Sequence, residues 1–277
     1  MKEFKYLAPR TLEEAIALKK EYGDAAKFIA GSTDVVVAMR DYKITPEYII
    51  DLKKIPGMDQ ITWDEKTGLH IGALVTMDEI SKSPLVLEHL PFLAKAAGSV
   101  GSRQVRSRAT CVGNICNASP LADTATPLYA ANAEVEIAGP NGTRVDKIVD
   151  FIQFIRKVDL GEGELVTGIR VPAQKLSGAF YKIARRRQVD LSTVCGTVAK
   201  GEDGYRIAMG SVAVTPLRLP KAEAILNGAK ELTDEIIEQA AAMGQTEVSP
   251  IGDVRADKQY RLDMVAYIIR HGAKEIG

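Results

Sequence analysis

Cysteine is scarce in this chain, with 3 among 277 residues, at Cys111, Cys116 and Cys195. They are too few and too unevenly spaced for a disulfide framework, a zinc site or an iron–sulfur cluster, so they read as reduced, mostly buried thiols. A redox pair of Cys111 with Cys116 lacks any neighbouring group of the kind that activates a thiol. Histidine is equally rare, and His70, His89 and His271 have no partner at metal-ligand spacing, which leaves them surface or core roles. Neither sign of charge is in excess: Lys plus Arg and Asp plus Glu both number 36. That balance argues against a general binder of nucleic acid or acidic membrane. No run of about eighteen apolar residues offers a membrane span, and the opening MKEFKYLAPRTLEEA has no apolar signal core. The composition predicts a cytoplasmic protein.

What is present is mixed α and β structure, in a chain long enough for one large or two modest domains. TLEEAIALKKEYG predicts a helix, with Thr11 as cap, Glu14 at the capping-box position and Gly23 as stop. KFIA reads as a buried strand, TDVVVAMRD as a helix begun at Gly31 and Ser32, and EYIIDL as another strand. Together they suggest a small βαβ unit. LHIGALV and AEVEIAG read as strands, with a hairpin turn at NGTR. From about Val171 the texture changes. GAFYKIARR, STVCGTVAK and YRIAMGSVAV predict an antiparallel sheet, followed by helices over LPKAEAIL, TDEIIEQAAAMG and ADKQYRLDMVAYIIRHG. The last helix should carry Leu262, Val265, Ala266 and Ile269 on one face. Trp63 reads as packing.

Two glycine-centred turns carry the chemical signal. In AGSTD, residues 30 to 34, a strand ends and a helix begins, so several backbone N–H groups converge before the helix takes them up. That is an anion nest suited to phosphate. TCVGNICNASP, neither helix nor strand by period, again offers N–H, amide and hydroxyl donors. Each turn alone is also what an ordinary helix start looks like. Asp123, after the second turn, reads equally as an acceptor from sugar hydroxyls or as a cap for TATPLYAANA. The basic run KIARRRQVD reads either as a solvated strand end, or as Lys182 placed near an electron-rich ring. In the second case Arg185, Arg186 and Arg187 are aimed at a partner or at a charged acceptor, and Asp190 holds one of them.

Six collinear segments, FIAGSTD, ATCVGNICNASPLAD, ELVTGIRVP, FYKIARRRQVD, MGSVAVTPLRLPKAEAIL and ADKQYRLDMVAYIIRHG, give the chain its resemblance over nearly its whole length. It resembles the FAD-binding medium subunit of the molybdenum hydroxylases. The resemblance implies an α+β fold: an FAD-binding, vanillyl-alcohol oxidase-like (PCMH-type) domain over 1–172, of two α/β subdomains at about 1–55 and 56–172. A C-terminal domain of antiparallel sheet and helices would follow over 173–277. It implies FAD in this chain, with molybdopterin and [2Fe–2S] clusters on a large and a small partner subunit, and electrons passed from the flavin to NAD or another acceptor. No catalytic acid–base residue or metal ligand is implied here.

Position by position, the resemblance makes Lys27, Phe28, Ile29, Ala30, Gly31, Ser32, Thr33 and Asp34 the first pyrophosphate loop. Thr110, Gly113 and Asn114 become the second, with Asn117 and Ala118 just beyond. Asp123 would bind the ribityl or ribose region. Val100 and Val166 would lie on the flavin ring, Lys182 near its pyrimidine edge, and Gly72, Ala73 and Thr76 near the adenosine half. Two departures stand out. Relatives place two glycines in the first loop, where this chain has Gly31 and Ser32, and two before the Asn of the second, where it has Val112 and Gly113. A Val at a glycine position resists positive φ and brings a branched side chain near the cofactor, unless it packs away from it. A flavin-free scaffold and a stand-alone flavin oxidoreductase stay open as other readings.

Overall fold

A computed structural model describes the protein over residues 1–277. The chain opens with β1 (Lys5–Leu7), α1 (Leu12–Tyr22), β2 (Ala26–Ile29), α2 (Val35–Arg40) and β3 (Tyr48–Asp51). β3 lies between β1 and β2, parallel to both. The expected βαβ unit is therefore present. Thr11 caps α1 by accepting the Glu14 N–H at 3.1 Å. The Glu14 carboxylate reaches one residue beyond the cap, to the Arg10 N–H at 2.8 Å, so the reciprocal half of the predicted capping box is displaced.

A second, antiparallel sheet follows, built from β4 (Ile61–Asp64), β5 (Gly68–Gly72), β6 (Glu134–Gly139), β7 (Gly142–Lys147) and, later in the chain, β10 (Leu165–Val171). Its order is β4-β5-β10-β6-β7. Between β5 and β6 run six short helices: α3 (Met77–Lys82), α4 (Pro84–His89), α5 (Pro91–Ser99), α6 (Arg103–Arg106), α7 (Cys111–Cys116) and α8 (Ala125–Ala130). After β7 come α9 (Ile148–Phe151) and a hairpin of β8 (Ile152–Phe154) with β9 (Lys157–Val158). Trp63 stacks on His89 with ring centroids 3.5 Å apart, the packing role its sequence suggested.

The last third forms a four-stranded antiparallel sheet, β11 (Ser177–Ile183), β12 (Val194–Gly201), β13 (Gly204–Gly210) and β14 (Leu217–Arg218). It is backed by α10 (Pro220–Gly228), α11 (Asp234–Thr246) and α12 (Lys258–Ile276). Strand alternation gives this sheet two different faces. On β12, Val194 and Val198 pack with α10–α12, whereas Cys195 and Ala199 join the core of the preceding part of the chain. Thr197 faces the same way as Cys195, its hydroxyl 3.0 Å from that of Thr126 on α8. A strand buried on both sides explains why VCGTVA reads as nearly unbroken apolar sequence. On α12, Val265, Ala266 and Ile269 are buried as expected, together with Ile268 and Arg261, while Leu262 is only half-buried. Arg261 is tolerated inside because its guanidinium donates to the carbonyls of Thr193 and Ser211 and pairs with Asp253 at 2.7 Å. No helix is long and apolar enough to cross a membrane.

Candidate functional site

The first glycine turn follows β2. None of the N–H groups of Gly31, Ser32, Thr33 and Asp34 donates within the chain, and Ser32 sits at φ +65°. Successive free N–H groups around a left-handed residue that leads into a helix are the setting in which anion nests form. Ser32 occupies this conformation where the resemblance implies glycine, at a cost of roughly 1–2 kcal/mol. Gly31 is required for a different reason. A Cβ there would lie 1.9 Å from the carbonyl oxygen of Arg108 and 3.0 Å from the Cα of Ala109. The first turn thus rests directly on the backbone leading into Thr110, and the two turns, remote in sequence, form one surface. Lys27 is exposed on β2, while Phe28, Ile29 and Ala30 are half-buried behind the turn.

The segment from Gly72 to Thr76 joins the same assembly. The Met77 N–H donates to the Ala109 carbonyl at 2.8 Å and the Cys111 N–H to the Val75 carbonyl at 3.3 Å. Thr76 and Thr110 thereby form a bridge. Ala73 donates to the Thr167 carbonyl at 2.9 Å, next to Val166. Gly72 admits the Met58 carbonyl, which a Cβ would approach to 2.3 Å.

The second turn differs from its predicted form. Residues 111 to 116 are helical, and Thr110 caps them by accepting the Gly113 N–H at 3.0 Å. That N–H is consequently not a free donor. Gly113 is exposed, has no positive φ, and leaves room for the cap, since a Cβ would lie 2.8 Å from Thr110 Oγ1. Val112 resolves the departure noted above: it takes ordinary helical backbone, and its side chain is buried in the hydrophobic core. No positive φ is involved. Beyond the helix, Ala118 is buried at φ +46°. The Asn114 Oδ1 accepts from the Thr124 hydroxyl at 2.7 Å, and the Asn117 Oδ1 from the Arg156 guanidinium.

Asp123 does not cap the following helix. It is 5 % exposed and pairs instead with Lys182, Nζ to Oδ2 at 2.6 Å, while the Ser192 hydroxyl donates to Oδ1 at 2.5 Å. Burial, outweighing the attraction of Lys182, raises the Asp123 carboxyl above its usual range. Lys182 also donates to the Ser99 carbonyl at the end of α5, 3.1 Å away. The reason lies in β11. Alternation puts Gly178, Phe180 and Lys182 on the inner face: Phe180 enters the first core, and Gly178 lets Phe92 approach, its ring 2.5 Å from where a Cβ would stand. Helix α5 is thereby held against the strand. The Arg106 guanidinium fixes the turn beyond Ser99 by donating to the Val100 and Gly101 carbonyls at 3.1 and 3.2 Å. Val100 is half-buried, and Val166 lies in the core at 5 % exposure. Arg185, Arg186 and Arg187 are exposed, and Asp190 accepts the Arg186 N–H at 3.0 Å.

Sequence reasoning missed Ser99, Arg106, Thr124, Arg156 and Ser192, all but Arg106 acting through contacts distant in sequence. Of these only the Thr next to Asp123 offered a local hint. A cavity of about 510 Å³ elsewhere, lined by Trp63, Glu65, His89, Gln174, Lys175 and Arg206, lies at the opposite end of β11 from Lys182. Its Arg206 is already paired with Asp203 and Gln174.

The donor set of the site is neutral and dense in N–H, and its backbone is exposed by a glycine that admits no side chain. These properties suit phosphate groups held close to main chain. A buried carboxylate–ammonium pair stands beside them, where a polar ring edge and sugar hydroxyls could be received. The residues fit FAD.

Comparison with known proteins agrees. The profile described as the FAD binding domain in molybdopterin dehydrogenase matches residues 2–174. That of the CO dehydrogenase flavoprotein C-terminal domain matches residues 179–276. The chain is 32 % identical to the nicotinate dehydrogenase FAD-subunit of Eubacterium barkeri, over 98 % of this chain and 95 % of that one. It is also 32 % identical to the carbon monoxide dehydrogenase medium chain of Hydrogenophaga pseudoflava, over 96 % and 94 %. Among solved structures, carbon monoxide dehydrogenase from Hydrogenophaga pseudoflava superposes with a TM-score of 0.94 at 31 % identity, covering 99 % of this chain and 97 % of that one. The protein therefore belongs to the family of FAD-binding medium subunits of the molybdenum hydroxylases, and is an oxidoreductase subunit.

Proposed function

We propose that this chain holds FAD between its two glycine turns and the Asp123–Lys182 pair, and works as the electron-transfer subunit of a molybdopterin-dependent dehydrogenase. Its electrons come from [2Fe–2S] clusters on a small partner subunit, which draws them from a molybdopterin-binding large subunit, and go on to NAD or another acceptor. The observation that carries this reading is the contact of Gly31 with Arg108 and Ala109, which makes one anion-binding surface of two turns. Bound FAD supplies a carrier that takes up electrons in pairs or singly.

The chain's own residues bind and orient. The N–H groups of Gly31 to Asp34 and the amides of Asn114 and Asn117 receive the pyrophosphate, and Thr76 with Gly72 and Ala73 lines the adenosine side. Asp123 accepts from hydroxyl groups. Lys182, tied down by Asp123 and Ser99, keeps a positive charge where negative charge gathers on reduction. The division into an FAD-binding part over 1–172 and a C-terminal part over 173–277 belongs to the same reading.

Purified protein should be yellow and release FAD on heating, and a colourless preparation that takes up no added FAD would overturn the reading. Co-purification with a molybdopterin subunit and a two-cluster iron–sulfur subunit separates it from a stand-alone flavoenzyme. Reoxidation of the reduced protein by NAD, oxygen and a quinone in parallel identifies the acceptor.

A further inference from the structure

Both asparagines of the second turn are gripped by the same end of the amide. Asn114 Oδ1 accepts from Thr124 Oγ1 at 2.7 Å, and Asn117 Oδ1 accepts from Arg156 Nη1. Neither Nδ2 has an acceptor within the chain, and neither is among the sealed polar atoms. An asparagine amide can turn over to present its oxygen or its NH2, and its partners decide which. Here each partner is a donor. An arginine fork has no acceptor at all, so the Asn117 oxygen must face it.

Thr124 is a hydroxyl and could serve either way, but its surroundings decide. It is fully buried, beyond the reach of water. A buried hydroxyl proton needs an acceptor, and the Asn114 oxygen 2.7 Å away takes it. Arg156 is fixed in turn. Its backbone stands at φ +61° and its own N–H donates to the Ala118 carbonyl at 3.0 Å. Its guanidinium also donates to the Asn117 carbonyl at 3.3 Å.

We propose that Thr124 and Arg156 are positioning residues that hold Asn114 and Asn117 with their NH2 groups presented to bound anionic oxygen, making the second turn a donor-only surface. This rests on the FAD reading for the identity of the anion, but the amide orientation is a property of the chain itself. A donor-only turn, with the Arg156 guanidinium behind Asn117, presents no acceptor to repel an anionic oxygen. An amide free to turn over would offer its oxygen to a phosphate part of the time.

The test compares Thr124→Val, which keeps shape and loses the hydroxyl, with Thr124→Ser, which keeps it. Exposed Arg156 is changed to Ala and to Lys. Thr124→Val and Arg156→Ala should each weaken FAD binding about tenfold, equivalent to about 1.4 kcal/mol, with Thr124→Ser close to the unaltered chain. Combined with Asn114→Ala, Thr124→Val should add almost nothing, because it acts through that amide. Wild-type affinity in both variants, or an additive effect in the double change, overturns the proposal. Side-chain amide NMR of the FAD-free chain reads the orientation directly: one sharp Asn114 pair in the unaltered chain, shifted or doubled in Thr124→Val. An unchanged pair overturns it too. If the unaltered chain takes up no FAD, the proposed function fails, while the amide spectra still decide the positioning claim.

Discussion

Gly31, in a turn, and Val112, in helix α7, answer different constraints. Replacing Gly31 by Ala puts a methyl group into the Arg108 carbonyl, so the turns must part. The expected cost is roughly 1–3 kcal/mol of stability, the range for overpacking a fixed contact, together with loss of retained flavin. Thermal denaturation and the flavin-to-protein absorbance ratio measure the two effects. Val112→Gly, which supplies the glycine the resemblance implies, should do the reverse of helping. It removes a buried side chain worth about 1.5–3 kcal/mol and leaves the flavin content as it was, since Val112 faces the core. A rise in FAD affinity would show that the valine does obstruct the cofactor. Asp123→Asn leaves the Lys182 ammonium buried without its counter-charge, and a broken buried pair costs about 3–5 kcal/mol. Urea titration of the flavin-free protein should reveal a loss of that order, and added FAD should recover less of it than in the unaltered chain.

Arg261, on α12, shows how much of a helix the sequence discloses. The apolar spacing that predicts Val265, Ala266 and Ile269 as core is correct because it follows from helical period alone. That a charged residue at position 261 is buried while Leu262 is not depends on carbonyls of Thr193 and Ser211 arriving from the sheet, and no local pattern encodes those. The same holds for Asp123, whose sequence position fits a helix cap but whose partners come from β11 and the loop after it. Conversely, strands β11 to β13 were legible because β-rich composition and turn residues are local. The Arg261–Asp253 pair also sets an acid limit. Burial tends to raise the Asp253 carboxyl, but the N–H groups of Arg255 and Ala256 and the Arg261 guanidinium outweigh it and hold it at about 2. A depressed carboxylate stabilises the fold above its unfolded value of about 3.9 and loses that contribution as pH falls toward the folded one. Stability should therefore drop between about pH 4 and pH 2 by less in Asp253→Asn than in the unaltered chain, as urea midpoints across that range would register.

The C-terminal sheet is not a separable lobe. Its inner face, through Phe180, Cys195, Ala199 and Ala208, belongs to the same hydrophobic core as the first two sheets. Its outer face carries a second core with α10 to α12. Shared burial couples the parts, and heat unfolding is expected as one transition whose calorimetric and van't Hoff enthalpies agree. Two resolved transitions would mean that the inner face contributes little. Saturating FAD should move that single transition upward, by about 2.7 kcal/mol of added stability at a hundredfold excess over Kd.

Strand β11 has a further consequence, because Gly178, Phe180 and Lys182 all depend on the same parity. A single residue inserted between Gly178 and Lys182 would turn the lysine toward α12 and bring a neighbour such as Tyr181, which now meets Glu275 on that helix, into its place. Two residues would preserve the sides but carry the charge past Asp123. The strand can thus tolerate changes of residue far better than changes of length, and the number of residues from Gly178 to Lys182 is itself part of the site.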